Sequence, residues 1–146
     1  MLAATDDREI ALRRLYWVGP ATVATAVIVV RLLQVIEVAV LRPPERSLLR
    51  SAEPAAFTAV LVAIAVVVFA IVAREASQPL RTYNRVAFLA LVLWCVPDVA
   101  LGFGLIRGEG WPLAMGFILM HIAAWAVTVS MLTRLTTSRG STQFAN

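Results

Sequence analysis

The stretch Ala55–Ala73, AAFTAVLVAIAVVVFAIVA, decides the class of this protein. It carries no charge, and it just meets the ~20 apolar residues needed to cross a hydrocarbon core. Pro54 stands immediately before it, suited to a first helical turn where its missing N–H is no loss. The run reads as a membrane-spanning helix. Composition extends that reading to the whole chain. Of 146 residues, 60% are hydrophobic and 15% charged, and the mean hydropathy is +0.82. A soluble chain is roughly 45–50% apolar and ~25% charged, so a water-soluble domain is excluded as the default class.

Moving outward from Ala55–Ala73, three further apolar runs appear. Upstream, residues 16–41 form a long run interrupted by Arg31, Gln34 and Glu37. A cleaved signal peptide has a shorter core of ~7–15 apolar residues, so an uncleaved first span is expected. Arg42-Pro43-Pro44-Glu45-Arg46 ends it, because consecutive prolines cannot continue a helix. Leu48 and Leu49 suit a connection lying on the bilayer surface. Downstream, a polar connection from Arg74 to Arg85 precedes a third span over residues 86–106, with Pro97 and Asp98 inside it. Arg107-Gly108-Glu109-Gly110 forms a turn, a fourth span covers residues 111–133, and a Ser/Thr-rich tail closes the chain. Residues 1–15 read as a short amphipathic or frayed lead-in.

The expected fold is thus all-α, an integral membrane four-helix bundle forming one domain over residues 1–146, with spans near 16–41, 55–73, 86–106 and 111–133. All 13 basic residues are arginine. Arg8, Arg13, Arg14, Arg74, Arg81, Arg85, Arg134 and Arg139 fall on one side of this topology. Arg42, Arg46, Arg50 and Arg107 fall on the other. The bias expects both termini in the cytoplasm, in a bacterial inner membrane. Because these arginines flank apolar runs, they read as topology anchors, and no nucleic-acid partner is expected. Tyr16, Trp17 and Tyr83 on the inner side and Trp111 on the outer fit aromatic belts.

Polar groups inside spans are costly and tend to face a bundle interior. Arg31, Glu37, Asp98 and His121 qualify. At 1.5 Å per residue, Arg31 lies about 15 Å below Leu41, Asp98 about 12 Å below Ile106, and His121 about 15 Å below Trp111. Three helices therefore bring an arginine, a carboxylate and an imidazole to nearly one level. Gln34 lies one turn from Arg31, with Glu37 nearer the outer surface. Trp94 and Trp125 share helical faces with Asp98 and His121. Pro97 frees the carbonyl of Leu93 and invites a kink. Together these residues suit an outward-facing pocket with polar groups above an aromatic wall. Two other readings stand beside it: interhelical glue in which Arg31 pairs with Asp98, and an Arg31 side chain that snorkels outward.

Other chemistry is poorly supplied. One histidine and one cysteine exclude a multi-histidine metal cage, a CxxC site and an internal disulfide framework. No cofactor is expected, and neither haem nor quinone is favoured, although Met115, Met120 and Met131 lie on the same span as His121. Cys95 reads as a small hydrophobe. There is no basis for a catalytic triad, with Ser130 alone on the fourth span, or for a phosphate loop, since Gly102 and Gly104 fall in a membrane helix. Ala59/Ala63 and Ala100/Gly104 follow small-xxx-small spacing, which suits packing within the chain or in a homo-oligomer.

The run Trp94-Cys95-Val96-Pro97-Asp98-Val99, followed by Leu119-Met120-His121-Ile122-Ala123-Ala124, resembles a bacterial family of four-span membrane proteins of unknown function. In that family a basic loop precedes a third helix with a mid-span small residue and proline. Its fourth helix carries a Leu-Met-His-hydrophobic-Ala-Ala stretch and ends in arginine. Arg74 to Arg85, Pro97, the stretch around His121 and Arg134 follow that order in the second half of this chain. Trp94 and Cys95 stand where a small residue such as serine is expected. The resemblance implies that His121 is a family feature, and it carries no activity.

The function expected is non-enzymatic: a membrane binding or scaffold protein, a small accessory subunit with a buried polar centre. That centre is Arg31, Gln34, Glu37, Trp94, Asp98, His121 and Trp125, with no metal. Expected partners are membrane lipids and a second copy or a larger membrane complex. The alternatives are a proton-coupled transporter or channel using Asp98 and His121, and an intramembrane enzyme acting on a lipid or quinone through His121.

Overall fold

The computed structural model describes residues 3–45, 47–105 and 110–136, with side chains from Leu12 onward. Four helices account for nearly all of it: α1 (Ala3–Leu41), α2 (Glu53–Glu75), α3 (Pro79–Gly102) and α4 (Trp111–Thr136). Among the described residues there is no strand. Each helix is long and apolar enough to cross a membrane, α1 through its segment Leu12–Leu41. The chain is an all-α, multi-pass membrane protein. Helices suit this solvent because they satisfy their backbone groups internally, where lipid offers no partner.

Short connections make neighbouring helices antiparallel, so the described ends of α1 and α4 lie together. Leu15 of α1 and Leu132 of α4 are buried in one cluster there. α1 packs against both α2 and α4, and α3 packs mainly on α4. Glycines set close approaches between elements. A Cβ on Gly19 would meet Val66 at 2.9 Å, and one on Gly102 would meet the Trp111 ring at 2.8 Å. Threonines buried or half-buried in the spans return their hydroxyls to the preceding turn, as Thr22 does to the Val18 carbonyl (2.7 Å) and Thr128 to that of Ala124 (2.7 Å). A hydroxyl bonded to its own helix needs no partner from lipid.

The helix bounds differ from the apolar runs in instructive places. α3 begins at Pro79, well before residue 86, because a proline in the first turn starts a helix without losing a hydrogen bond. Only residues 76–78 separate it from α2. α3 also ends at Gly102, short of residue 106, and the following turn places Gly104 at φ +73°, a conformation suited to glycine. Gly104 is therefore in a turn and not in a membrane helix, and Ala63 is exposed. Neither small-xxx-small pair lies wholly within a packed helix face. α3 runs unbroken through Pro97. The lead-in from Ala3 is a continuation of α1. The tail beyond Thr136 and the turn residues 106–109 lie outside the described residues.

Two residues sit deeper than their sequence context suggests. Tyr83, expected in an aromatic belt, is 1% exposed and packs edge-on against Phe69, with ring centroids 4.9 Å apart. Edge-to-face geometry is the favoured contact of two aromatic quadrupoles. Leu49, expected on the bilayer surface, is fully buried, because the connection folds back onto the bundle as a 3₁₀ turn over Leu48–Arg50. Ser47 caps that turn through the Leu49 N–H, and Arg50 Nε donates to the Pro43 carbonyl at 3.0 Å.

Candidate functional site

Polar side chains gather in the half of the bundle that carries the Leu48–Arg50 turn, and they form three separate arrangements. The first fastens the connection to α1. The Gln34 amide donates from Nε2 to the Leu49 carbonyl (2.6 Å) and to the Ser51 carbonyl (2.7 Å), while its Oε1 accepts from Arg31 Nη1 at 2.9 Å. One buried amide thus satisfies two carbonyls that the connection leaves open. Arg31 itself is exposed on the side of α1.

The second arrangement joins α3 to α4. His121 Nδ1 lies 2.9 Å from Asp98 Oδ2 and 2.9 Å from the Phe117 carbonyl. The Phe117 carbonyl can only accept, which favours the tautomer with its hydrogen on Nδ1. A single hydrogen does not serve two acceptors equally, and Asp98 Oδ2 receives no well-directed hydrogen bond despite the short approach. With Nδ1 engaged, Nε2 is the ring position left to take up or release a proton. Asp98 is buried and His121 half-buried.

Glu37 makes the third arrangement alone. Its side chain turns toward α4, where the missing side chain of Gly116 leaves room: a Cβ there would stand 2.6 Å from Oε2. Both carboxylate oxygens are shielded, and neither has a hydrogen-bond partner among the described residues.

These contacts separate height from direction. Glu37 meets Gly116 across an antiparallel pair, so six residues down α1 and six along α4 lead to Arg31 and Ile122 at about the same level. Arg31 and His121 are therefore level, as helical rise expects. They are not brought together. Arg31 faces outward and bonds Gln34, whereas His121 lies against Asp98. The aromatic wall is likewise divided. Trp94 is 44% exposed on α3, whereas Trp125 is half-buried, its Nε1 shielded and unpartnered among the described residues.

An open groove runs along α3 and α4, lined by Leu91, Val92, Cys95, Val96, Val99 and Ile122. Its lining is apolar, and the chain neighbours of Val99 and Ile122 are Asp98 and His121. Asp98 and His121 are not among the groove's lining residues. No group of three metal-ligating side chains occurs among the described residues.

Sequence reading missed the Gly116 recess and the carbonyls of Leu49 and Ser51. A lone glycine within an apolar span was a signal for the first. Backbone acceptors in a connection leave no mark in residue types, so the second had none. Comparison with protein-family models, curated proteins and solved structures finds no match to this chain.

Proposed function

We propose that this protein is a non-enzymatic binding or scaffold protein of the bacterial cytoplasmic membrane, acting as a small accessory subunit of a larger membrane assembly. One observation supports this reading most. From Asn84 to Pro97, α3 has no buried residue, while Tyr83 before this stretch and Asp98, Leu101 and Gly102 after it are buried. A helix fixed at both ends and only half-buried at Ala87, Leu91 and Cys95 between them offers a long exposed face to a neighbour in the bilayer. Phe88, Leu89, Val92 and Val96 are among its exposed side chains. Helix association in lipid depends on close packing and not on hydrophobic expulsion, so a specific partner needs a rigidly held face. The Asp98–His121 contact supplies that rigidity at one end, and the Tyr83–Phe69 contact at the other.

Purification of the full chain from its native membrane in mild detergent tests the reading. Expected is a stoichiometric second membrane protein or a second copy of the chain. A monomer accompanied by lipid alone would overturn it.

A proton-coupled carrier or channel is the second reading, supported by the close approach of His121 Nδ1 to Asp98 and to the Phe117 carbonyl. A pH-dependent flux in proteoliposomes that persists in the Asp98→Asn, His121→Phe double variant would count against it.

A further inference from the structure

We infer that Glu37 is a proton-binding site of the membrane-embedded bundle, its carboxyl held as the neutral acid in the recess opposite Gly116. Glu37 is 8% exposed, and both its oxygens are shielded without a hydrogen-bond partner among the described residues. An ionised carboxylate kept from water and from any partner is far costlier than a neutral acid, so such a group takes up a proton. The recess is specific: the carboxyl fills the space that any side chain on residue 116 would claim.

Among the described residues, the surrounding charged groups either bond elsewhere or are exposed. On α1, Arg31 donates to Gln34. In the connection, Arg50 bonds the Pro43 carbonyl, and Arg42 and Glu45 are exposed. At the start of α2, Glu53 is exposed. On α4, residues 111–116 hold no titratable side chain, and His121 further along is paired with Asp98 of α3. Arg46, Arg107 and Glu109 lie outside the described residues. Among the described residues the carboxyl is thus left to a proton, the one cation that needs no further oxygen ligands. This inference goes beyond the scaffold reading and does not depend on it, since a co-purifying partner says nothing about the state of Glu37.

The test uses the full chain in lipid nanodiscs and two readouts. The first is infrared: one carbonyl band of a protonated carboxylic acid is expected in the wild type and lost in Glu37→Gln, which keeps the side chain's shape. The second is labelling with dicyclohexylcarbodiimide, an apolar reagent that reaches protonated carboxyls within membranes. The carboxyl O–H adds across one C=N bond, the proton going to nitrogen and the oxygen to carbon. Acyl transfer to nitrogen then gives a stable acylurea with no leaving group. One adduct is expected on Glu37, more abundant at lower pH, retained in Asp98→Asn and reduced in Gly116→Ala, which closes the recess. An infrared spectrum unchanged by Glu37→Gln, or an adduct confined to Asp98, would overturn the assignment.

Discussion

The two ends of the bundle are built on different principles. At the end holding the α2–α3 connection, Leu15, Val18, Phe69, Ala73, Tyr83 and Leu132 form a cluster organised by shape. At the opposite end, Val30, Leu49, Leu101, Leu113, Ala114 and Met120 form a second apolar cluster, but it is interleaved with Gln34, Glu37, Asp98 and His121. Lipid is as apolar as leucine, so packing gains in a membrane come from fit, and polar contacts fix which helices meet. The first end keeps the helices together. The second sets their rotation and carries the groups able to hold a proton.

The largest expected effect falls on the shape-built end. Phe69→Ala removes the ring on which Tyr83 packs and should cost about 3 kcal/mol, the low side of the range for a buried phenylalanine because lipid and not water receives the exposed surface. Reversible unfolding in mixed micelles checks it, and a cost no larger than that of an exposed-site change would erase the contrast between the ends. Gln34→Ala should cost about 2 kcal/mol, since the Leu49 and Ser51 carbonyls both lose their donor. The same variant should open the connection to proteolysis between residues 42 and 52. If the cleavage rate is unchanged, Gln34 does not hold the fold-back.

Smaller effects sharpen the polar end. A double-mutant cycle of Asp98→Asn with His121→Phe should return a coupling of about 1 kcal/mol, typical of polar contacts between membrane helices. Zero coupling would make the 2.9 Å approach energetically empty. Least of all, Phe88→Ala on the bare face of α3 should change stability by no more than about 0.5 kcal/mol, as an exposed substitution, while weakening retention of a co-purifying partner. Unfolding and co-purification measured on the same preparation separate those two outcomes.

How much of this was legible in the sequence follows from the same physics. The uncharged run Ala55–Ala73 and its three companions declare the span count, because crossing a bilayer sets a length that few other structures need. Height was legible too, since helical rise is uniform: Arg31 and His121 do lie at about one level. Direction was not. In a soluble helix the apolar stripe marks the buried face, but here both lipid and core are apolar, so nothing around Arg31 says that it points outward. The same ambiguity hid Leu49, whose side chain suits a bilayer surface and a bundle core equally. Tyr83 was obscured by its polar neighbours, which resemble a loop until Pro79 is recognised as a helix start.

The bare face of α3 as a partner surface is most directly tested by a photoreactive side chain at Val92, irradiated in native membranes, with one at Val60 on the exposed side of α2 as comparison. Expected is a discrete protein adduct from Val92 that fades when Asp98 is replaced by Asn, and lipid adducts alone from Val60. Lipid adducts alone from both positions, or a protein adduct indifferent to Asp98, would contradict it.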